Sequence, residues 1–298
     1  MLSNPGFVLK QDAASSTESA PGRSAQIGQI LLNMEKITLD DVDKILQLQQ
    51  QEGILFGAAA RQLGLVTDRD IQQALASQSN HSSLSPEQVN DMPDLIVVHQ
   101  PFIDQVEFMR AVRSQLIMRW FSTGQKSIAV IEINPTGGAS LLVANLAVLF
   151  SQLGKRTLLI DADLRNPRQH EIFNLQDMPG FSDALAGRKA LSEVISKKES
   201  ITDLAILSAG EPPSNPSELL SRAMFADKGE SLHDQYDVVL YDAPAFMTSS
   251  DALLVTARAG GVLLAVRKNH TRFTDIQAIK SQLSSHGTPI IGTVLIDL

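Results

Sequence analysis

The stretch IAVIEINPTGGASLLVANLAVLFSQLG (residues 128–154) decides the fold of this chain. Its first six residues are apolar except for one glutamate and predict a buried strand, and the apolar run from residue 140 onward predicts a helix. Between them lies NPTGGAS (134–140), a loop with two consecutive glycines. A strand, a glycine loop and a helix in this order form the arrangement in which backbone N–H groups and a helix N-terminus hold a phosphate.

This loop matches the phosphate-binding signature G-x-x-x-x-G-K-[ST] only in part. Gly138 and Ser140 stand at the second-glycine and serine positions. Ile133 and Ala139 stand at the first-glycine and lysine positions. Taken alone, the loop is explained equally well as an ordinary turn between a strand and a helix, so the surrounding pattern has to decide.

The residues after this stretch alternate between apolar runs and helical segments. Five further runs predict buried strands: RTLLIDAD, LAILSAG, YDVVLYDAP, GVLLAVR and IIGTVLI. Strands that alternate with helices predict a parallel sheet covered by helices on both faces. We therefore predict an α/β fold of the phosphate-loop type, preceded by a small all-α module.

Three carboxylates stand at the ends of these predicted strands. Asp161 and Asp163 end the run RTLLIDAD, and Asp242 follows the apolar part of YDVVLYDAP. Ligands of open α/β sheets bind beyond the carboxyl ends of the strands, and carboxylates there suit a Mg²⁺ that keeps several waters. One aspartate at a strand end is usually a solvated turn or a helix cap, but three in this order after a glycine loop indicate a site.

The composition excludes several classes of protein. The chain has 298 residues, 43% of them hydrophobic, which is enough for a packed core, and a formal net charge of -8, which argues against broad nucleic-acid binding. It has no cysteine, so disulfides and Cys-ligated metal centres are excluded. The most apolar stretch, Leu141 to Phe150, is shorter than the ~20 residues of a spanning helix. We expect a cytoplasmic protein without a transmembrane segment.

The N-terminal part contains an internal repeat. Residues 26–78 repeat at an offset of 29, and each copy predicts two helices. The pairs Thr38/Asp41 and Thr67/Asp70 match the capping-box signature and predict one helix start in each copy. We predict four segments: a flexible lead (1–25), a helical repeat module (26–80), a linker with a short extended piece (81–103) and the phosphate-loop domain (104–298).

With these motifs the chain resembles the cytoplasmic domain of bacterial tyrosine kinases of exopolysaccharide biosynthesis, the chain-length-determinant tyrosine kinases. The resemblance covers about residues 26–298 and is most specific in LLIDADLRNP (158–167). It implies a deviant-Walker phosphate-loop fold like that of MinD and ParA. It also implies ATP or ADP with Mg²⁺ as the cofactor and protein-tyrosine phosphorylation as the activity of the family.

The resemblance implies a role for each matching residue. In the family, the carboxylates at Asp161, Asp163 and Asp242 bind Mg²⁺ and polarise the attacking tyrosine hydroxyl. The implied nucleotide contacts are Gly137, Gly138, Ala139, Ser140 and Arg267, with Thr271 beside Arg267. The implied Mg²⁺ ligands are Ser140, Asp161 and Asp242.

A further motif, E-x-x-R-x-x-R, precedes the first strand as Glu107, Arg110 and Arg113. An ordinary amphipathic helix with i,i+3 charge pairs has the same pattern. In the resembling family this motif is an inter-subunit contact of ring oligomers. The resemblance therefore implies self-association, and a membrane polysaccharide copolymerase or a kinase paralogue as the partner that brings the chain to the inner membrane.

Two departures from the family bear on activity. Ala139 replaces the lysine that contacts the β- and γ-phosphates, and Glu132 adds negative charge beside the loop. The chain has only two tyrosines, Tyr236 and Tyr241, which flank a predicted buried strand. We therefore predict a catalytically degenerate member, a pseudokinase. The alternatives are an active ATP-dependent protein-tyrosine kinase and a MinD- or ParA-like positioning ATPase.

The repeat module resembles the N-terminal module of type II secretion and pilus ATPases, some of which bind cyclic-di-GMP. Here Gln26-Ile27-Gly28 and Phe56-Gly57 stand where that motif opens with an arginine. Guanine and phosphate recognition favours arginine. We therefore expect a structural or partner-docking role, with cyclic-di-GMP binding as the alternative.

Overall fold

The computed structural model describes residues 27–28, 31–32, 36–71, 74, 91–101, 103–136, 138–175, 179–221 and 232–296. The chain divides into two compact units: the described residues up to 74 fall in one, and those from 91 onward fall in the other. Among the helices of these residues, none combines the length and the apolar character that crossing a bilayer requires.

The smaller unit is helical and packs closely at two glycines. Its helices include α1 (Leu39–Glu52) and α2 (Phe56–Gln62). A Cβ atom placed on Gly28 would lie 3.1 Å from the ring of Phe56, and one on Gly57 would lie 3.3 Å from Cγ2 of Ile71. The repeated glycines therefore have a packing explanation, because a side chain at either position would crowd a buried or half-buried neighbour.

Both predicted capping boxes are confirmed. The Asp41 N–H donates to the Thr38 hydroxyl at 3.3 Å, and the Thr38 N–H donates to the Asp41 carboxylate at 3.0 Å. Asp70 and Thr67 make the same two bonds at 3.2 and 2.9 Å. Each box satisfies N–H groups that a helix start leaves without an intrahelical partner, which is why both helices begin there.

The larger unit is built on a seven-stranded sheet. Its strands are β1 (Ser127–Glu132), β2 (Thr157–Asp161), β3 (Ser196–Lys197), β4 (Leu204–Leu207), β5 (Val238–Asp242), β6 (Val262–Arg267) and β7 (Ile290–Ile296). They lie in the order β3-β4-β2-β5-β1-β6-β7, and each neighbouring pair is parallel except β3 and β4. The predicted α/β class is confirmed. The six predicted strands omit β3, because two residues are too few to show a sequence pattern.

Helices flank this sheet. They include α3 (Ile96–His99), α4 (Asp104–Arg119), α5 (Gly138–Ser151), α6 (Gln169–Ile172), α7 (Phe181–Leu185), α8 (Leu191–Val194), α9 (Pro216–Ser221), α10 (Asp251–Ala259) and α11 (Phe273–Ser285). The helix α3 replaces the short extended piece predicted within residues 81–103, so that prediction is wrong. The run LIVV has β-branched residues typical of a strand, but the Val97 N–H donates to the buried side chain of Asn145 instead of to a sheet.

The helix α5 lies at the centre of the unit and is almost entirely buried. Both polar atoms of its amide residue, Asn145, are hydrogen-bonded: Oδ1 accepts the Val97 N–H at 3.0 Å, and Nδ2 donates to the Leu141 carbonyl at 2.8 Å. A buried amide without these partners would be strongly destabilising. The helix after the phosphate loop is therefore anchored to the segment that precedes the sheet.

Candidate functional site

The sheet topology brings two of the predicted carboxylates together. Asp161 is the last residue of β2 and Asp242 is the last residue of β5. The two strands are parallel neighbours, and these two residues are paired in their register. Both side chains are buried, at 0% and 1% exposure. The site therefore lies at the carboxyl ends of the strands, where open α/β sheets bind their ligands.

Asp161 holds the segment that follows β2. Its Oδ2 accepts the N–H groups of Arg168 at 3.0 Å and Gln169 at 2.9 Å. Its Oδ1 accepts the Asp163 N–H at 3.3 Å. Burial and the negative charge of Asp242 raise the pKa of Asp161 well above its usual range, and the backbone hydrogen bonds oppose this rise.

Asp242 is less completely satisfied. Its Oδ2 accepts a hydrogen bond of 2.7 Å from Nε2 of Gln169, whereas its Oδ1 is buried and accepts none from any described residue. Burial raises the pKa of Asp242 to about 7, although hydrogen bonds from Gln169 and Ser140 lower it. It is unfavourable for two adjacent buried carboxylates to be ionised together. The pair therefore retains a proton or takes up a cation near neutral pH.

Gln169 joins the two strand ends to the phosphate-loop helix, and the sequence analysis missed it. Its backbone N–H donates to Asp161, and its Nε2 donates both to Asp242 and to the Ser140 carbonyl, the latter at 3.1 Å. It is fully buried. The only signal in the sequence is its place a few residues after LLIDADLRNP, where it reads as an ordinary polar residue of a short helix.

Asp163 lies at the edge of the pair and is half-buried. Its Oδ1 accepts the N–H groups of Arg165 at 3.1 Å and Asn166 at 3.0 Å, and burial is the main cause that raises the pKa of its carboxyl. The Arg165 side chain turns away toward α10 and donates to Asp251 at 2.7 Å and to Ser217 at 3.0 Å. Arg165 therefore ties the loop after β2 to α9 and α10.

The phosphate loop connects β1 to α5. Gly138 and Ala139 are buried in the first turn of α5, and Ser140 follows them half-buried. Gly137, the other predicted loop glycine, lies outside the described residues. The Ser140 hydroxyl hydrogen-bonds the Asp242 carboxyl and lowers its pKa. The structure thus brings the predicted serine and the predicted carboxylate together.

Glu132 folds its side chain onto this loop. Its Oε1 accepts the Thr136 N–H and its Oε2 accepts the Thr136 hydroxyl, both at 2.7 Å. Glu132 is the last residue of β1 and is 9% exposed. Its charge contributes to the raised pKa of Asp242. The phosphate loop is therefore hydrogen-bonded to a carboxylate that the protein itself supplies.

Arg267 and Thr271 lie beside the same loop. The Arg267 N–H donates to the Thr271 hydroxyl at 3.1 Å, which bends the chain after β6. Both residues line a small cleft together with Glu132 and Thr136. The structure therefore puts the predicted late-strand residues next to the loop, although they are far from it in sequence.

The donor types at the strand ends are hard oxygens. Among the described residues, no three His, Cys, Asp or Glu side chains come together in a way that would hold a metal ion by themselves. A site there would need the Ser140 hydroxyl and water as further ligands, which is the kind of coordination that Mg²⁺ accepts.

The predicted interface row is largely engaged within the chain. Arg113 donates to the Leu149 carbonyl at 2.9 Å and Arg110 donates to the Pro101 carbonyl at 2.8 Å. Leu149 is in the last turn of α5, where carbonyls lack an intrahelical partner, so Arg113 caps that helix. Glu107 pairs with Arg110, and its side chain is 61% exposed. The row lies along α4, and its carboxylate is the most accessible member.

One of the two tyrosines differs in position from the prediction. Tyr241 lies within β5 and does not flank it, and burial raises the pKa of its hydroxyl to about 12. Tyr236 precedes β5 and is half-buried, and its pKa is also raised by burial. The Tyr241 hydroxyl is therefore not an open acceptor on the surface.

A mostly parallel sheet with a glycine loop before a buried helix, and with carboxylates at the ends of two neighbouring strands, is the arrangement of the MinD-like phosphate-loop fold. The described fold agrees with a solved MinD from Pyrococcus horikoshii at a TM-score of 0.51 and 22% identity, over 57% of this chain and 70% of that one. Comparison with protein-family models finds no match.

The relatives identify the family. The putative tyrosine-protein kinase CapB of Staphylococcus aureus is 30% identical over 72% of this chain and 90% of its own length. The solved kinase domain of the Escherichia coli tyrosine kinase ETK is 29% identical, with a TM-score of 0.66, over 68% of this chain and 80% of that one. The chain belongs to the bacterial tyrosine-protein kinase family. Its match spans only 26% of another member, the tyrosine-protein kinase ptk of Acinetobacter johnsonii.

Proposed function

We propose that this chain is a kinase-like phosphate-loop protein of exopolysaccharide synthesis that has lost phosphoryl transfer. In this proposal it acts by assembly, with itself, with an active kinase paralogue or with a membrane polysaccharide copolymerase. The observation that carries the proposal is a contrast within one site. The carboxylates Asp161 and Asp242 are built in, whereas the position of the loop lysine holds a buried alanine, Ala139.

The residues at the strand ends fit Mg²⁺. The buried Oδ1 of Asp242 accepts no hydrogen bond from the described residues, and the Ser140 hydroxyl lies against the same carboxyl. When bound, the ion would neutralise the paired carboxylates and draw phosphate oxygens toward them. Asp161, held by three N–H groups, would orient the loop around it.

The loop fits a triphosphate poorly. Phosphoryl transfer depends on positioning and on cations that balance the phosphate charge, and the Ala139 methyl group supplies none. The Thr136 N–H, which a phosphate oxygen would otherwise accept, donates to Glu132. By analogy, loss of one donor from an oxyanion hole costs about 3–4 kcal/mol of transition-state stabilisation. We infer that nucleotide binding is weak and that transfer is lost.

Calorimetric titration with Mg-ADP and Mg-ATP tests this proposal. We expect weak or no binding by the wild type and tighter binding by Ala139→Lys. The matched control is Leu153→Lys, which adds the same charge beyond the other end of α5 at an exposed position and should change nothing. Tight binding by the wild type that Ala139→Lys leaves unchanged contradicts the proposal.

The assembly role is tested separately by light scattering. We expect oligomers at low salt that dissociate when Arg110→Ala and Arg113→Ala are combined, and that weaken as the Debye length falls below ~8 Å. Because Arg113 also caps α5, a thermal melt must accompany the double variant. The single change Glu107→Arg, at an exposed side chain, removes the charge pattern without touching that cap. A control, Arg156→Ala, removes an exposed arginine elsewhere. A chain that stays monomeric at high concentration and binds no paralogous kinase domain excludes this role.

An active tyrosine kinase is the second candidate, and the contact between Ser140 and Asp242 favours it because a metal-dependent kinase needs both. We expect no phosphotyrosine on the purified chain incubated with Mg-ATP, since Tyr241 is buried and Tyr236 is half-buried. Phosphotyrosine that appears on the wild type and is absent from Asp161→Ala would establish the kinase instead.

For the helical unit we propose a structural or partner-docking role. The close packing at Gly28 and Gly57 accounts for both glycines without a ligand. The leucines Leu39 and Leu55 are 74% and 60% exposed, which suits a protein partner. Titration of the full chain with cyclic-di-GMP is the test: saturable binding would replace this role with the alternative.

A further inference from the structure

Glu132 is an unusual residue for the end of a central strand. Every residue of β1 is buried, and its last one is an ionisable side chain with 9% exposure. The neighbouring strand β6 pairs with it at Ala265, and the Phe246 N–H, from the segment after β5, donates to its backbone carbonyl at 2.9 Å. A buried carboxylate is strongly destabilising unless hydrogen bonds offset the loss of water.

Two such hydrogen bonds come from the phosphate loop. Both carboxylate oxygens of Glu132 accept from Thr136, one from the backbone N–H and one from the hydroxyl, each at 2.7 Å. Such short bonds to a charged acceptor are among the strong ones in proteins. The loop between β1 and α5 is thus closed on an anion that the chain itself provides.

The Glu132 carboxylate lies where it accepts from a backbone N–H group of the phosphate loop. In a strand–loop–helix of this kind, backbone N–H groups of the loop are the groups that contact a bound phosphate. The Thr136 N–H is one of them, and it lies two residues before Gly138, where α5 starts. A carboxylate and a phosphate oxygen cannot both accept this proton, and their negative charges repel each other.

We propose that Glu132 is a built-in occupant of the phosphate loop, which takes the place of a phosphate group and holds the loop closed without a ligand. The proposal rests on the proposed function, because it explains how the loop is kept folded in a chain that has lost the loop lysine. Glu132 is then the residue that excludes phosphate from the loop. The loop is then selective against anions, through charge as well as through the missing cation.

Removal of the carboxylate should therefore open the loop to added anions. We expect Glu132→Ala to bind inorganic pyrophosphate about tenfold more tightly than the wild type in calorimetry without Mg²⁺. The melting temperature of Glu132→Ala should fall, and formate should restore it relative to chloride at equal ionic strength. Formate supplies the missing carboxylate, and pyrophosphate should restore the melting temperature as well.

The matched control is Glu193→Ala. The Glu193 carboxylate also accepts a backbone N–H three residues earlier, from Ala190 at 3.0 Å, but at an exposed helix start away from the phosphate loop. Any decrease in the melting temperature of Glu193→Ala should not be reversed by formate. The pyrophosphate affinity of this variant should equal that of the wild type. If Glu132→Ala does not fold, Glu132→Gln removes the charge and turns one acceptor oxygen into a donor, and the loss of repulsion should still raise its pyrophosphate affinity.

The outcomes separate this inference from the proposed function. Glu132 variants that bind pyrophosphate no better than the wild type overturn the inference, even if the wild type fails to bind nucleotide. A wild type that binds Mg-ADP tightly overturns the proposed function. In that case a further gain in Glu132→Gln would still support the role of the carboxylate, and no gain would refute it.

Discussion

The two sides of the site contrast in the state of their polar groups. The carboxylate side (Asp161, Asp163, Asp242 and Gln169) is cross-linked by hydrogen bonds but leaves one buried oxygen of Asp242 without a described donor. The loop side (Glu132, Thr136 and Ala139) is closed on its own carboxylate. The carboxylate side can accept a cation. On the loop side, the Thr136 N–H and hydroxyl already donate to the Glu132 carboxylate, so no bound anion is required to satisfy them.

This difference teaches that the halves of a phosphate-loop site can change independently. The carboxylates are held by strand register and by Gln169, which are part of the fold, so they persist whether or not a nucleotide binds. The loop depends on a few local side chains, and a change at Glu132 or Ala139 alters its charge without altering the sheet. The site consequently combines acidic groups with no lysine at the loop position.

The largest expected effect is on the carboxylate side. Gln169→Ala should lower the free energy of unfolding by about 3 kcal/mol, because it removes two hydrogen bonds, one of them to the buried Oδ2 of Asp242. Urea denaturation measures this change. The neighbour His170→Ala, on the same short helix but partly exposed, is the control and should stay within about 0.5 kcal/mol. Equal losses in the two variants would mean that Gln169 is not a structural link.

The next effect is a pH dependence of the same side. Burial raises the pKa of Asp242 to about 7, so the stability that comes from its protonated form is complete below its ordinary pKa and is lost as the pH rises through 7. Asp242→Asn mimics the protonated form. We expect it to match the wild type near pH 4 and to be more stable by about 2 kcal/mol at pH 8 in denaturation experiments.

Asp237→Asn is the control for the pH dependence, with the opposite sign. Arg156 lowers the pKa of Asp237, so the charged form stabilises the native state above the ordinary pKa. Its replacement should slightly reduce stability at pH 8 and have no effect at low pH. An Asp242→Asn variant that is no more stable than the wild type at pH 8 would contradict this prediction.

The smallest expected effect is an energetic coupling between Glu132 and position 139 of the phosphate loop. A lysine at position 139 would add a cation to the loop that Glu132 closes, and it should pair with that carboxylate before it can contact a phosphate. Ala139→Lys should therefore increase pyrophosphate affinity about tenfold more in the Glu132→Ala background than in the wild type. Calorimetry on the four proteins of this double-mutant cycle measures the coupling. Additive effects would mean that the carboxylate and the lysine position act independently.

Sequence patterns were sufficient for the elements whose signals are local. Apolar runs predicted the six longer strands, and the Thr/Asp spacing predicted both capping boxes, because these depend on residues a few positions apart. The strand-end rule placed Asp161 and Asp242 at one edge of the sheet. The same reasoning failed at α3, where a β-branched run forms a short helix whose Val97 N–H donates to Asn145.

The contacts that define the site could not be predicted in this way. Gln169 reaches Asp242 across 73 positions of the chain, and Arg113 reaches the Leu149 carbonyl across 36. A single polar residue without periodicity gives no sign of such a partner. The sequence indicated that Glu132 brings charge to the loop, but the direction of its side chain depends on how β1 and α5 meet.

The sequence by itself determined the family, the order of strands and helices along the chain, the phosphate loop without its lysine and the carboxylates at the strand ends, since each of these is written in local composition and spacing. Only the tertiary structure decided which carboxylates lie side by side, that Gln169 links them to Ser140, and that Glu132 closes the loop on Thr136. The physical reason is that strand order and side-chain direction follow from packing between distant segments. Burial and proximity, which set the charge state of these groups, exist only once that packing has formed.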